Sequence, residues 1–212
     1  MLDEAVAIAT LRAAARVHAR SQTHARSSSS DDLANTRLIV PQQTIAAGTR
    51  IHILDGSAAV AFTLDKATHA QAGLLLKSIH DGGTKRINAP PDISDTLEIQ
   101  ADDGSTAAIV HNALLSPLLQ RWRIDVRAGR QLIAAGNILQ HEYTIGERDG
   151  TQAAVVTKRF VRRRDAYGLD VLGGADASLI LSIVLAIDVM CFAGGSGARR
   201  ESRAEVRQRT RP

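Results

Sequence analysis

This chain of 212 residues has one cysteine, six aromatic residues and no long apolar run. Each shortage excludes something. Cys191 alone cannot close an intrachain disulfide, and no Cys/His pairs stand at zinc-binding spacing, so neither a disulfide framework nor a structural zinc holds the fold together. A reducing compartment is the simplest inference. The aromatics are Phe62, Trp122, Tyr143, Phe160, Tyr167 and Phe192. So few leave the core to Ala, Val, Leu and Ile, and argue against the base-stacking platforms of RNA or single-stranded DNA binders; no nucleic-acid partner is expected. What is present is ordinary for a globular protein, with 44% hydrophobic and 23% charged residues. The length suits one domain of about 150 to 200 residues plus tails.

The formal net charge is +4, with a pI near 9.7. Its distribution is uneven. Residues 1–36 hold four arginines against four acids, and residues 37–193 hold equal numbers of basic and acidic side chains. The whole excess lies in residues 194–212, where Arg199, Arg200, Arg203, Arg207, Arg209 and Arg211 face only Glu201 and Glu205. The body is neutral and the tail is basic.

These shifts divide the chain in three. Residues 1–36 read as an appendage: an Ala-rich helix over 2–20, with Asp3 and Glu4 in its first turn, then a linker containing Ser27–Ser30. The acidic start and the early interruption by Arg12 do not fit a secretory signal. Residues 37–193 form the folded domain. Residues 194–212 begin at Gly194-Gly195-Ser196-Gly197 and bury too little apolar surface to offset ordering entropy, so they read as disordered.

From residue 37 the pattern becomes short segments of alternating polarity. In Arg121-Trp122-Arg123-Ile124-Asp125-Val126-Arg127 apolar and charged residues alternate throughout, as in a strand with one dry and one wet face. Similar segments are Arg50–Ile53, Ala59–Leu64, Leu97–Gln100, Ala107–His111, Leu132–Ala135, Glu142–Ile145, Ala153–Thr157 and Tyr167–Val171. The glycines of Asp55-Gly56, Asp81-Gly82, Asp103-Gly104, Ala128-Gly129 and Asp149-Gly150 recur every 21 to 26 residues, which describes a meander of antiparallel hairpins. About ten or more strands in so short a chain favour a closed barrel, because closure removes exposed edges. The stretch His80–Pro91, with Pro90-Pro91 and few apolar residues, reads as a loop.

After Gly173-Gly174 the sequence becomes helical and apolar on nearly every side. Asp176 suits the N-cap, and Gly194 the position past the end. Only the 11 residues Ala177–Ile187 separate Asp176 from Asp188, whereas a bilayer span needs about 20 apolar residues. A transmembrane span is therefore excluded, and the helix belongs inside the barrel, filling its lumen. Asp188 then needs a partner or a route to solvent.

Three segments carry a family resemblance: Gly136–Ile145, Thr157–Val171 (TKRFVRRRDAYGLDV) and the Asp176–Phe192 helix. In order and spacing they resemble the LURP-one-related (LOR) family of the tubby C-terminal-like superfamily, related to phospholipid scramblases. The resemblance is strong over 95–193, diverged over 37–94 and absent from both tails. It departs from the family in having Val161 where a second aromatic is usual. It implies a mainly β fold, an antiparallel tubby-like β-barrel of about twelve strands around a central hydrophobic C-terminal helix.

Chemistry is scarce. No histidine belongs to an HExxH or paired-ligand motif, Ser116 has no nucleophile elbow, and Cys191 sits in the apolar helix. His141 and Glu142, as strand neighbours, point to opposite faces and cannot act on one atom; His141 would share a face with Tyr143 and Ile145 as a packed structural residue. No catalytic residue, metal site or cofactor is expected, and the chain is read as a non-enzyme. The remaining feature is Lys158, Arg159, Arg162, Arg163 and Arg164, five cations in seven positions. In a hairpin connection they form a basic rim suited to phosphate, because arginine offers forked donors. Related tubby domains bind phosphoinositides through basic patches, so the resemblance implies an anionic phospholipid as partner and a cytoplasmic protein peripheral to the inner membrane face. The competing readings are a solvated loop, with Arg162–Arg164 paired to Asp165, Asp170 or Glu142, and a cytosolic scaffold or protein-interaction module without a lipid ligand.

Overall fold

The computed structural model describes residues 35–42, 50–66, 73–88, 96–112, 121–159, 161 and 165–192. The expected helix over 2–20, most of the linker 21–36 and the tail 194–212 lie outside them.

The described residues form twelve strands: β1 Thr36–Pro41, β2 Arg50–Asp55, β3 Val60–Lys66, β4 Leu74–Ser78, β5 Thr84–Asn88, β6 Thr96–Gln100, β7 Thr106–His111, β8 Arg121–Val126, β9 Arg130–Asn137, β10 Glu142–Glu147, β11 Gln152–Thr157 and β12 Ala166–Val171. A helix follows, α1 Ala177–Phe192. Each strand pairs antiparallel with the next, and β1 closes the barrel by pairing with both β2 and β12, from Thr36 opposite Val171 to Pro41 opposite Ala166. The expected antiparallel barrel around a hydrophobic helix is the observed architecture.

Alternation decides which side chains enter. In β8, Trp122 and Ile124 are buried while Arg121 and Arg123 are exposed. α1 fills the interior, with Ile180, Leu181, Ile183, Val184, Ala186 and Ile187 all buried. Every side of the helix meets protein, so each large aliphatic contributes roughly 2 kcal/mol of burial. Asp176 caps it as expected, its Oδ1 accepting the Leu179 N–H at 3.0 Å. Among the described residues no helix is long and apolar enough to cross a membrane.

Three strands lie where alternation gives no signal. β1 places Leu38, Ile39 and Val40 all in buried positions, because its outer face is covered as well. β4 opens with Leu74-Leu75-Leu76, which has no period. β5 corrects the reading of His80–Pro91 as a loop: Thr84–Asn88 pairs with β4 and β6, and the single buried side chain Ile87 is too little to mark a strand in sequence.

The up-and-down topology gives the barrel two unlike ends. Tight connections at 56–59, 79–83, 101–105, 127–129, 148–151 and 172–176 leave one end. The connections 42–49, 67–73, 89–95, 112–120, 138–141 and 158–165 leave the other. α1 enters from the tight-turn end and finishes at the second, where Asp188 meets residues at the starts of β10 and β12.

Candidate functional site

The basic cluster begins where β11 ends, and a carboxylate on the neighbouring strand shapes it. Glu142, first residue of β10, accepts the Thr157 hydroxyl on both oxygens at 3.0 Å and the Lys158 N–H at 3.1 Å. The Arg159 N–H donates to Thr157 Oγ1 at 3.1 Å, and the Val161 N–H to the Lys158 carbonyl at 3.1 Å. Val161, where the sequence departs from a paired aromatic, packs with Ile39, Leu54, Ala58 and Ala166 outside the barrel wall. The connection is thus fastened at Thr157–Arg159 and again at Val161.

Its cations are not equivalent. Lys158 Nζ donates to Gln42 Oε1 at 2.6 Å, tying this turn to the end of β1. Arg159 is 81% exposed, with its Nε 3.7 Å from Glu142 Oε2. A carboxylate already holding a hydroxyl and an amide at closer range leaves most of that guanidinium for another anion. Arg162, Arg163 and Arg164 lie outside the described residues. Asp170, one of the partners expected for them, takes a two-pronged bond from Arg37, with Nη2 2.6 Å from Oδ2.

At the same end, on the inside, the helix carries a second polar group. Asp188 accepts the Tyr167 hydroxyl on Oδ2 at 2.6 Å and meets His141 Nε2 at 3.1 Å on Oδ1. His141 is fully buried and stacks on Tyr167, with ring centroids 4.3 Å apart. It is not a strand residue, however. It follows the short 3-10 turn Ile138–Gln140 with φ 54° and ψ 44°, the left-handed conformation, which corrects its expected place in β10 beside Tyr143 and Ile145. The side chain still enters the core, and Glu142 still faces the other way.

Two phenols and one thiol in this interior are held in their neutral forms. Burial, reinforced by Asp188, pushes the phenols of Tyr143 and Tyr167 well above their ordinary value, and pushes the Cys191 thiol up to about 11. No thiolate or phenolate nucleophile is on offer at neutral pH. Among the described residues no three His, Cys, Asp or Glu side chains stand close enough together to hold a metal ion.

With this geometry in hand, comparison with known proteins gives one decisive match. The LOR model, LURP-one-related, covers residues 30–188. The chain belongs to the LOR family. An X-ray structure of a protein from Arabidopsis thaliana is similar at 9% identity and a TM-score of 0.35, over 73% of this chain and 90% of that one. No curated protein matches the sequence significantly.

The LOR match spans every strand and ends at Asp188. Local pattern leaves Asp188 in need of a partner and does not name one. The signal that could have found it is the pairing of a lone carboxylate in an apolar helix with a histidine and a tyrosine at the ends of strands. Nothing in the spacing of residues 141, 167 and 188 reveals it, because closure of the LOR barrel brings them together.

Proposed function

We propose that this LOR barrel is a non-enzymatic, cytoplasmic protein that binds anionic phospholipid headgroups, phosphoinositides included, at the membrane surface through Lys158, Arg159, Arg162, Arg163 and Arg164. One observation carries the reading: the connection bearing these five cations and the end of α1, from which the Arg-rich segment continues, belong to the same end of the barrel. The exposed guanidinium of Arg159 on a fastened turn supports it. Arginine presents paired donors to phosphate, and each basic residue near an acidic leaflet is worth about 1 kcal/mol.

Co-sedimentation with phosphatidylserine and phosphoinositide vesicles over a salt series tests the proposal. Binding should weaken as salt rises. Arg162→Ala/Arg163→Ala/Arg164→Ala should weaken it about a hundredfold, three contacts of that size combined. Indifference to anionic vesicles at low salt would sink the lipid reading in favour of a scaffold or protein-interaction module. Binding that survives the triple substitution but vanishes on removal of 194–212 would deny the barrel a lipid site of its own.

A further inference from the structure

We infer that the dipeptide His141-Glu142 is a latch through which the seating of α1 sets the backbone at the start of the basic connection, with Asp188 and Tyr167 as positioning residues for Lys158 and Arg159. The two neighbours face opposite sides of the barrel wall. Inward, His141 joins Asp188 on α1 and stacks on Tyr167 of β12. Outward, the Glu142 carboxylate gathers Thr157, the Lys158 N–H and the Arg159 guanidinium. One residue separates the end of the core helix from the carboxylate that builds the turn.

The backbone at His141 makes this link stiff. A residue bearing a side chain leaves the left-handed region unless its surroundings hold it there. Here the His141 N–H bonds to the Ile138 carbonyl at 3.0 Å, the Asn137 side chain caps the 3-10 turn, and the ring is fixed by Asp188 and Tyr167. Once the ring is released, only the N–H bond to Ile138 and the Asn137 cap still oppose relaxation of the positive φ. Relaxation at residue 141 rotates the next residue, Glu142, away from Thr157 and Lys158. Movement at the tip of α1, where the Arg-rich segment begins, is in this way transmitted to the cations on the outer surface. The functional meaning of this device rests on the headgroup reading above, while its structural content does not.

Amide hydrogen exchange on the full-length protein without lipid tests it. Asp188→Asn and Tyr167→Phe both weaken the inward clamp while keeping the shapes of the side chains. Exchange at the Lys158 and Arg159 amides should become about tenfold faster, the scale of one lost bond to a charged group. The reference amides are Ser105 and Thr151, bonded to Asp103 and Asp149 at the opposite end of the barrel. They should not change. Unchanged exchange at 158 and 159 overturns the inference. Acceleration to the same extent at 105 and 151 also overturns it, because the pair would then be an ordinary core contact. Should Asp188→Asn fail to fold, Tyr167→Phe, which keeps the stacked ring, decides alone; failure of both to fold counts against a local latch. Vesicle binding is measured separately, so a wild-type chain that ignores lipid removes the headgroup reading and leaves the exchange result standing.

Discussion

The Tyr167 hydroxyl reaches Asp188 at 2.6 Å, joining the last strand of the barrel to the helix threaded through it. With His141 on the other oxygen, the carboxylate is bonded from two strand ends while its side chain keeps 20% exposure. A carboxyl group in an otherwise apolar helix is tolerated because it has both partners and a path to water.

Removing that carboxylate leaves a buried imidazole and a buried phenol without their acceptor. Asp188→Ala should destabilise the fold by about 3 kcal/mol, in the range for breaking a buried charged hydrogen-bond group. Urea denaturation should show a lower midpoint with an unchanged slope; a shift under about 1 kcal/mol would mean that the pair contributes little.

Gly136 offers a sharper test of local geometry. Its φ is +137°, and a Cβ there would lie 2.7 Å from the Glu142 carbonyl and from Tyr143 Cα, on the strand it pairs with. Gly104 also has a positive φ, +76°, but opens into free space. Gly104→Ala should cost about 1 kcal/mol from conformation alone, and Gly136→Ala at least about 2 kcal/mol more because β9 and β10 must separate. Equal thermal shifts for the two variants would refute the clash.

Acid should loosen the tight-turn end. Bonds from the Thr84 hydroxyl and N–H hold Asp102 below its ordinary 3.8, the Ser105 hydroxyl and N–H do the same for Asp103, and the Thr151 N–H for Asp149. A carboxyl lowered on folding adds stability above its unfolded value and loses it as pH falls through its folded one. Stability should therefore be level across neutral pH and decline below about 3.8, the ordinary aspartate value from which these groups are shifted. Asp102→Asn should flatten part of that decline, which melting temperatures from pH 2 to 6 will show. An unaltered acid slope in this variant would assign the loss elsewhere.

Cys191 should be slow to react. With its thiol pushed up to about 11 by burial and by Asp188, only about a thousandth is thiolate at pH 8, against roughly a quarter for an unperturbed thiol. Labelling by a disulfide reagent at pH 8 should accelerate at least about a hundredfold in denaturant. Equal rates in the folded and unfolded chain would place the thiol in open solvent.

Much of this was legible in the sequence. Strict alternation gave β8, turn glycines at regular intervals gave the hairpins, and a short helix apolar on all sides had no place but the interior. Where both faces of a strand are covered, as at Leu38-Ile39-Val40, or hardly any residue is buried, as in β5, the period-2 signal vanishes and the strand goes unread. The cluster at 158–164 was visible as composition. That Lys158 bonds to Gln42 while Arg159 projects was not, since the partners lie 116 and 17 residues away in the chain, at Gln42 and Glu142.

Local period and composition are enough to set the class of fold, the neutral charge of residues 37–193 and the presence of an awkward carboxylate at 188. Tertiary structure alone decided what that carboxylate does. Closure of the meander carries residues 141 and 167 to the tip of α1, and puts His141 into a left-handed turn that aims it inward while Glu142, its neighbour, shapes the basic turn outside. Contacts between residues so far apart in the chain are set by how the barrel closes, and no local pattern encodes them.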